Sequence, residues 1–438
     1  MHMPRLRVVV ALLAAASTGV VGLVHSAAAT KSSRHFGSLA IPSANGRAWA
    51  GTSRPAPDPA QPQPATSGDG STGAASGSTG GVRASLEAPG GGTATTAAPP
   101  TTSTSTSTTN TTAAAGGNSP VIGVSLPALV NQTPATQAAW LANLKSIGVN
   151  SIRIEADWAG ISYAGPGTFD WSQLDQEVAS IEAAGMSIDM VVMTTPSWAA
   201  VAGQSGSDLA QPADPAAFGS FAAAVAQRYA PQGVQDYEIW NEPNSTDFWL
   251  PAPNPAAYVQ VLQAAYTDIK AVDPSAFVIT GGLAPEANEN GNIDEVTFLQ
   301  DMYADGAQGY FDALGDHPYS YPALPDTYEE WSGWSKMDAT PTSLRNVMTA
   351  NGDGSKPIWI TEVGAPTGGP DSVGTAGQAE ELTQAIDNAK TTPWIGGLYI
   401  YTYEDSGGDP TTDEDWFGLL NADGSPKPAW SAVASAIG

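Results

Sequence analysis

Eight short apolar runs, each suited to a β-strand, alternate with amphipathic helical stretches over the last three quarters of this 438-residue sequence. The runs are "VIGVSL" (121–126), "SIRIEADW" (151–158), "SIDMVVMTTP" (187–196), "VQDYEIWNEP" (234–243), "FVITGGLAP" (277–285), "ALGDHPYSY" (313–321), "PIWITEVGAP" (357–366) and "LYIYTYED" (398–405). Between them, apolar residues recur at helical spacing: Trp140, Leu144 and Ile147; Leu174, Val178 and Ile181; Phe218, Phe221, Val225 and Tyr229; Tyr258, Val261, Leu262, Ala265 and Ile269. Eight such βα units predict an α/β fold, a closed (β/α)8 TIM barrel of parallel strands. The competing arrangement is an open doubly wound sheet, but no glycine-rich nucleotide loop follows the first strand.

The barrel is expected to occupy residues 119–438, about 320 residues, enough for one large core. Residues 1–29 carry Arg5, Arg7, an apolar stretch and small residues ending near Ala29, the pattern of a cleaved secretory signal peptide. A membrane anchor is the alternative, for which the apolar stretch is short. Residues 30–118 are Ala, Gly, Ser, Thr and Pro with almost no large apolar side chain, so they are expected to form a disordered low-complexity linker. A secreted or cell-surface protein follows, with no membrane association beyond the signal peptide, and a monomer is expected.

Seven of the 16 Lys and Arg but only three of the 43 Asp and Glu precede residue 119, which leaves 9 bases against 40 acids in the barrel. Nucleic acid is a poor partner for such a surface, whereas a neutral substrate is not repelled. There is no cysteine, and of four histidines only His317 falls in the barrel. Disulfides, thiol chemistry and multi-histidine zinc sites are therefore excluded, and no cofactor or catalytic metal is expected. If any ion binds, the acidic stretch "DSGGDPTTDEDW" is the place for it.

Two glutamates end apolar strands. Glu242 closes the fourth run, where Pro243 stops the ladder, and Glu362 closes the seventh. One rim glutamate is as readily an ion pair or a helix cap. Two of them, on strands facing each other across a barrel and each beside a polar neighbour (Asn241, Thr361), point to paired-carboxylate chemistry. Arg153 interrupts an apolar strand and is either the cation that keeps one carboxylate ionised or a structural core ion pair. His317 and Tyr319, two apart, share a face of the sixth run.

In this order "WNEPN" and "WITEVG" resemble the acid/base and nucleophile motifs of the clan A glycoside hydrolases, closest to families 39 and 5. "GVNSIRIEADW", "DHPYSY" and "FGLLNADGSPKPAW" extend the resemblance over the whole barrel. The resemblance implies a retaining O-glycosyl hydrolase with a carbohydrate substrate, Glu242 as general acid/base and Glu362 as nucleophile. It further implies that Arg153 supports the nucleophile, that Tyr319 donates to it, that His317 contacts substrate or an adjoining group, and that Asn241 donates to the sugar 2-hydroxyl. The carboxyl groups would then stand about 5–5.5 Å apart. Trp158, Trp198, Trp249, Tyr403 and Trp416, with Tyr401, are candidates for the aromatic floor on which sugar rings stack.

Two departures from family 5 stand out. The third run ends "MTTPSWA" without histidine, and the eighth offers tyrosines where a tryptophan is usual; both shift the likeness toward family 39. The scarcity of Lys and Arg argues against a uronic-acid substrate. A sugar-binding barrel without activity, or a transglycosylase using the same residues, are the competing functions.

Overall fold

A computed structural model describes residues 119–438. The signal peptide and linker expected at 1–29 and 30–118 lie outside the described residues. Eight strands run in chain order: β1 Val121–Ser125, β2 Ser151–Asp157, β3 Ser187–Met193, β4 Asp236–Ile239, β5 Phe277–Thr280, β6 Leu314–Asp316, β7 Ile358–Val363 and β8 Ile395–Tyr401. They form one parallel sheet in the order β5-β4-β3-β2-β1-β8-β7-β6. Parallel bridges at Ile279–Ala313 and Leu283–Asp316 join the two ends, so the sheet closes into the expected (β/α)8 TIM barrel.

The helical periodicities place their apolar stripes against this barrel. Leu174, Val178 and Ile181 are buried on the helix Ser172–Ala184, Phe218, Phe221, Val225 and Tyr229 on Pro215–Tyr229, and Tyr258, Val261, Leu262, Ala265 and Ile269 on Pro255–Val272. Helix starts follow local chemistry. Asp214 and Asn254 each precede a proline at the first helical position, and their side chains accept a hydrogen bond from the first-turn backbone. Among the described residues no helix is long and apolar enough to cross a membrane.

Several strands are shorter than the apolar runs suggest. β4 stops at Ile239 because Trp240 takes φ +73°, and β5 stops at Thr280, before Gly281 and Gly282. β8 instead starts three residues before the expected Leu398, taking in Gly396 and Gly397. Those glycines read as a loop, but here they make room for an indole: a Cβ on Gly396 would lie 2.3 Å from Trp359 Nε1, and one on Gly397 3.0 Å from its Cε3. Because β4 ends early, Asn241 and Glu242 stand on the loop above the barrel's C-terminal face, whereas Arg153 and Glu362 remain within their strands.

Candidate active site

Glu362 is held within β7 itself, whereas Glu242 sits three residues beyond the end of β4 on a turn that backbone sterics resist. Trp240 and Glu242 both have left-handed φ, +73° and +45°. Such residues persist only when their surroundings over-determine them. Trp240 is fully buried, its indole N–H donates to Phe248 O at 2.8 Å, and its ring meets Trp249 at 5.0 Å. Asn244 pins the far end of the turn by donating to Ala284 O and Ile293 O and accepting from Ala284 N. Glu242 N donates to Gly282 O at 3.0 Å.

Arg153 occupies the floor, buried among acceptors. Its guanidinium donates to Glu238 Oε2 at 2.6 Å, Glu362 Oε1 at 2.5 Å, Asn241 Oδ1 at 2.8 Å and Ser125 Oγ at 3.1 Å. Burial opposes its charge, but the Glu238 and Glu362 carboxylates outweigh that and its pKa rises. Tyr319 Oη donates to the other oxygen of Glu362 at 2.9 Å, and burial followed by the Glu362 charge pushes its own pKa well up, so it stays a donor. Ser125 adds a long contact to Glu362 Oε1 at 3.4 Å. Glu362 is thus surrounded by donors.

His317 lies between the two glutamates. Nδ1 is 3.0 Å from Glu242 Oε1 and 4.0 Å from Glu362 Oε2, and Nε2 is 3.0 Å from Thr361 Oγ1. Burial, with the Arg153 charge adding to it, lowers the imidazole pKa to about 4, so the ring is neutral above that pH. Its tautomer follows from the neighbours. The Thr361 hydroxyl has one hydrogen and donates it to Glu238 Oε1 at 3.1 Å. Thr361 must then accept from His317 Nε2–H, and Nδ1 is left as an acceptor. A hydrogen bond between Nδ1 and Glu242 therefore needs the proton on Glu242.

Gly282 is packed beneath this chain, its N–H donating to Glu238 Oε1 at 2.8 Å. Glu238, Ser125, Gly282 and Glu414 are site residues that the motifs did not reveal. Glu238 carries a usable signal, an acid amid the apolar "DYEIW" with only nine bases in the barrel to pair with it. Glu414 accepts from Tyr401 Oη, and burial, with the Glu362 charge adding to it, lifts its pKa to about 8.

The aromatic candidates divide. Trp198 is 37% exposed at the rim, its indole donating to Ser162 O, and Trp416 is half-buried with its indole on Asp409 O. Trp158, Trp249 and Tyr403 are corrections: all three are core residues with no face to offer a sugar. Trp158 begins a one-turn helix, Trp158–Ile161, that swings its ring onto Phe221. Trp249 packs between Trp240 and Tyr258. Tyr403 lies beyond the end of β8, where strand alternation no longer applies, and turns toward Trp140 and Trp430. Among the described residues no group of three or more His, Asp or Glu is arranged to hold a metal. In the acidic stretch after β8, Asp405 pairs with Lys427 at 2.6 Å, and Asp415 accepts from Ser406 Oγ and Asp409 N.

The family model for cellulase, glycosyl hydrolase family 5, matches residues 109–396. Among solved structures, a family 39 glycoside hydrolase from the gut symbiont Bacteroides cellulosilyticus WH2 superposes with a TM-score of 0.60 at 21% identity, covering 73% of this chain and 64% of that one. An exo-β-1,4-mannosidase from Opitutaceae bacterium strain TAV5 gives 0.54 at 17% identity, covering 76% and 61%. GH5_18 from Streptomyces cattleya, in complex with GlcNAc, gives 0.54 at 18% identity, covering 74% and 80%. The chain thus spans less than two thirds of the first two of these proteins. No curated protein matches the sequence. At such identities the superpositions show a shared barrel fold, and the family model decides the assignment: the chain belongs to glycosyl hydrolase family 5, the cellulase family.

Proposed function

We propose that this protein is a secreted, monomeric retaining glycosidase that cleaves poly- or oligosaccharides by double displacement. The observation that carries this is one imidazole nitrogen standing 3.0 Å from Glu242 and 4.0 Å from Glu362. Laid end to end, those distances keep the nearest carboxyl oxygens closer than most of the roughly 6.5–9.5 Å span of inverting enzymes. Glu242 gives its proton to the leaving oxygen while Glu362 Oε attacks the anomeric carbon, forming a glycosyl ester and releasing the alcohol. Water then attacks the same carbon as Glu242 takes back a proton, and Glu362 leaves as a carboxylate.

The neighbours support that division of labour. Arg153, Tyr319 and Ser125 hold Glu362 as the anion that attacks. Asn241 spends its Oδ1 on Arg153, leaving its NH2 to donate to a sugar 2-hydroxyl. Tyr163, Trp198, Tyr328 and Trp331 are exposed on loops that follow β2, β3 and β6, where successive sugar rings would stack. The signal-like N-terminus supports secretion.

The test separates the two glutamates. Glu362→Ala with added azide is expected to yield a glycosyl azide of inverted configuration. Glu242→Ala is expected to lose most activity on poor leaving groups, to keep forming the intermediate from an activated aryl glycoside, and to give the azide of retained configuration. The reverse pattern exchanges the roles. Losses under about tenfold in both variants would show that these two glutamates are not the catalytic pair, and no turnover in the parent would leave a sugar-binding barrel instead.

A further inference from the structure

We propose that the recess beside the end of β2 is a cation subsite that takes the free ammonium group of an amino-sugar unit in the substrate, with Glu155 and Glu177 as its ligands. This rests on the glycosidase reading and narrows its substrate class.

The recess has room for about 50 Å³ and is walled by Val130, Leu174, Glu155, Asp157, Asp170 and Glu177. Val130 follows β1, Glu155 and Asp157 lie at the C-terminal end of β2, Asp170 is on the loop beyond it, and Leu174 and Glu177 are on the first two turns of the helix Ser172–Ala184, so the recess lies at the end of the barrel that carries the two glutamates. Glu177 is 3% exposed, yet no described group donates a hydrogen bond or brings a positive charge to its carboxyl. Glu155 Oε1 is likewise buried and has no hydrogen-bond partner. Native proteins rarely leave a buried carboxyl oxygen without a donor, and Glu155 Oε1 beside the unpartnered Glu177 carboxyl points to a donor from outside the fold.

The obvious internal cation is already committed. Arg153, two residues before Glu155 on the same face of β2, spends its guanidinium on Glu238, Glu362, Asn241 and Ser125. Glu155 stands about 7 Å nearer the mouth than Arg153, at the rise of an extended strand. Burial first, then the negative charges of Asp157 and Glu362, push its pKa to about 8, which places it within electrostatic reach of the nucleophile. Glu177 is raised by burial and by Glu155 in turn, so the two carboxyls share one small volume.

The recess is small and lined by carboxyls, which suits a compact donor such as an ammonium one bond off a sugar ring resting at the mouth. An N-acetyl group would bring a bulkier neutral amide against two carboxyls, and a uronate would bring a third negative charge. With no three-ligand arrangement for a metal, an ammonium suits the pair better than a divalent ion. The surplus of 40 acids over 9 bases in residues 119–438 would draw a polycationic glycan toward the mouth.

The experiment compares hexosamine oligomers as free amines, the same oligomers after N-acetylation, and neutral glycans of equal length, using the full chain. The free amines are expected to show kcat/KM at least about tenfold above their acetylated counterparts, the worth of one charge-assisted hydrogen bond. Glu177→Gln and, independently, Glu155→Gln are expected to shrink that ratio several-fold while melting within a few degrees of the parent. Hydrolysis of neutral or acetylated glycans without amine preference overturns the subsite and leaves the glycosidase reading standing. Stimulation of that hydrolysis by ammonium or potassium chloride at constant ionic strength, again without amine preference, also overturns it, since the recess then holds a free ion. If no glycan is cut, the glycosidase reading falls. Calorimetric binding of the two oligomer forms to Glu362→Ala then decides the subsite alone, tighter binding of the amine supporting it and equal binding overturning it.

Discussion

Thr361 owns a single hydroxyl hydrogen, and where that hydrogen goes fixes the state of three neighbours. Given to Glu238, it obliges His317 to donate from Nε2 and to accept from Glu242. Thr361→Val keeps the shape and removes the hydroxyl, leaving His317 free to adopt the other tautomer and to donate to Glu242 instead. On the proposed function, hydrolysis of substrates with poor leaving groups is expected to fall about tenfold, while an activated aryl glycoside is expected to change much less. Equal losses on both, measured as kcat/KM, would show that Thr361 merely supports the fold. An acid limb is expected as well: below about pH 4 the buried imidazole takes a proton, Nδ1 becomes a donor, and Glu242 no longer needs its own proton to make the contact.

At the scale of the elements, the site is shared between strand residues (Arg153, Glu238, Thr361, Glu362) and positions just beyond strand ends (Glu242, Gly282, His317), and Gly282 shows how tight that arrangement is. A Cβ there would lie 2.2 Å from His317 Nε2 and 2.5 Å from Thr361 Oγ1. Gly282→Ala is expected to cost about 1–3 kcal/mol of stability by overpacking and to lower activity by displacing His317, both checked on one preparation by denaturant unfolding and kinetics. The barrel and the positions of Glu242, Glu362 and Arg153 were legible in the sequence because strand ends, prolines and a charge inside an apolar run leave local marks. The aromatic floor was less legible. Trp158 and Trp249 have the right residue type after the right strands, but their rings are turned into the core by a one-turn helix and by packing on Trp240, which are tertiary facts. Glu238 escaped notice because its partners, Arg153, Gly282 and Thr361, come from three other strands or their ends.

For the whole molecule, the buried acids set the response to pH. Burial lifts Asp236 and Glu295 to about 7, and Glu155 and Glu414 to about 8. Their unfolded counterparts lose protons near pH 4, so stability falls as pH rises from there through 7 to 8. His317 acts oppositely: its folded pKa of about 4 lies below the ordinary 6.5, so its contribution is lost as pH falls through that interval. Four acids outweigh one histidine, and the melting temperature is expected to drop by roughly 5 °C or more between pH 5 and pH 8. A flat or rising profile by calorimetry would show that these carboxyls are ionised in the fold. The two glutamates are also anchored unequally. Glu362 belongs to a strand locked into the barrel, whereas Glu242 rides a turn whose length no ladder dictates. On the proposed function, one route of divergence is thereby open to this scaffold: an inserted residue between Trp240 and Asn244 would draw Glu242 back, admit a water beside Glu362, and turn an ancestor that preserves anomeric configuration into a descendant that reverses it, a change that proton NMR of the first-formed sugar would register at once.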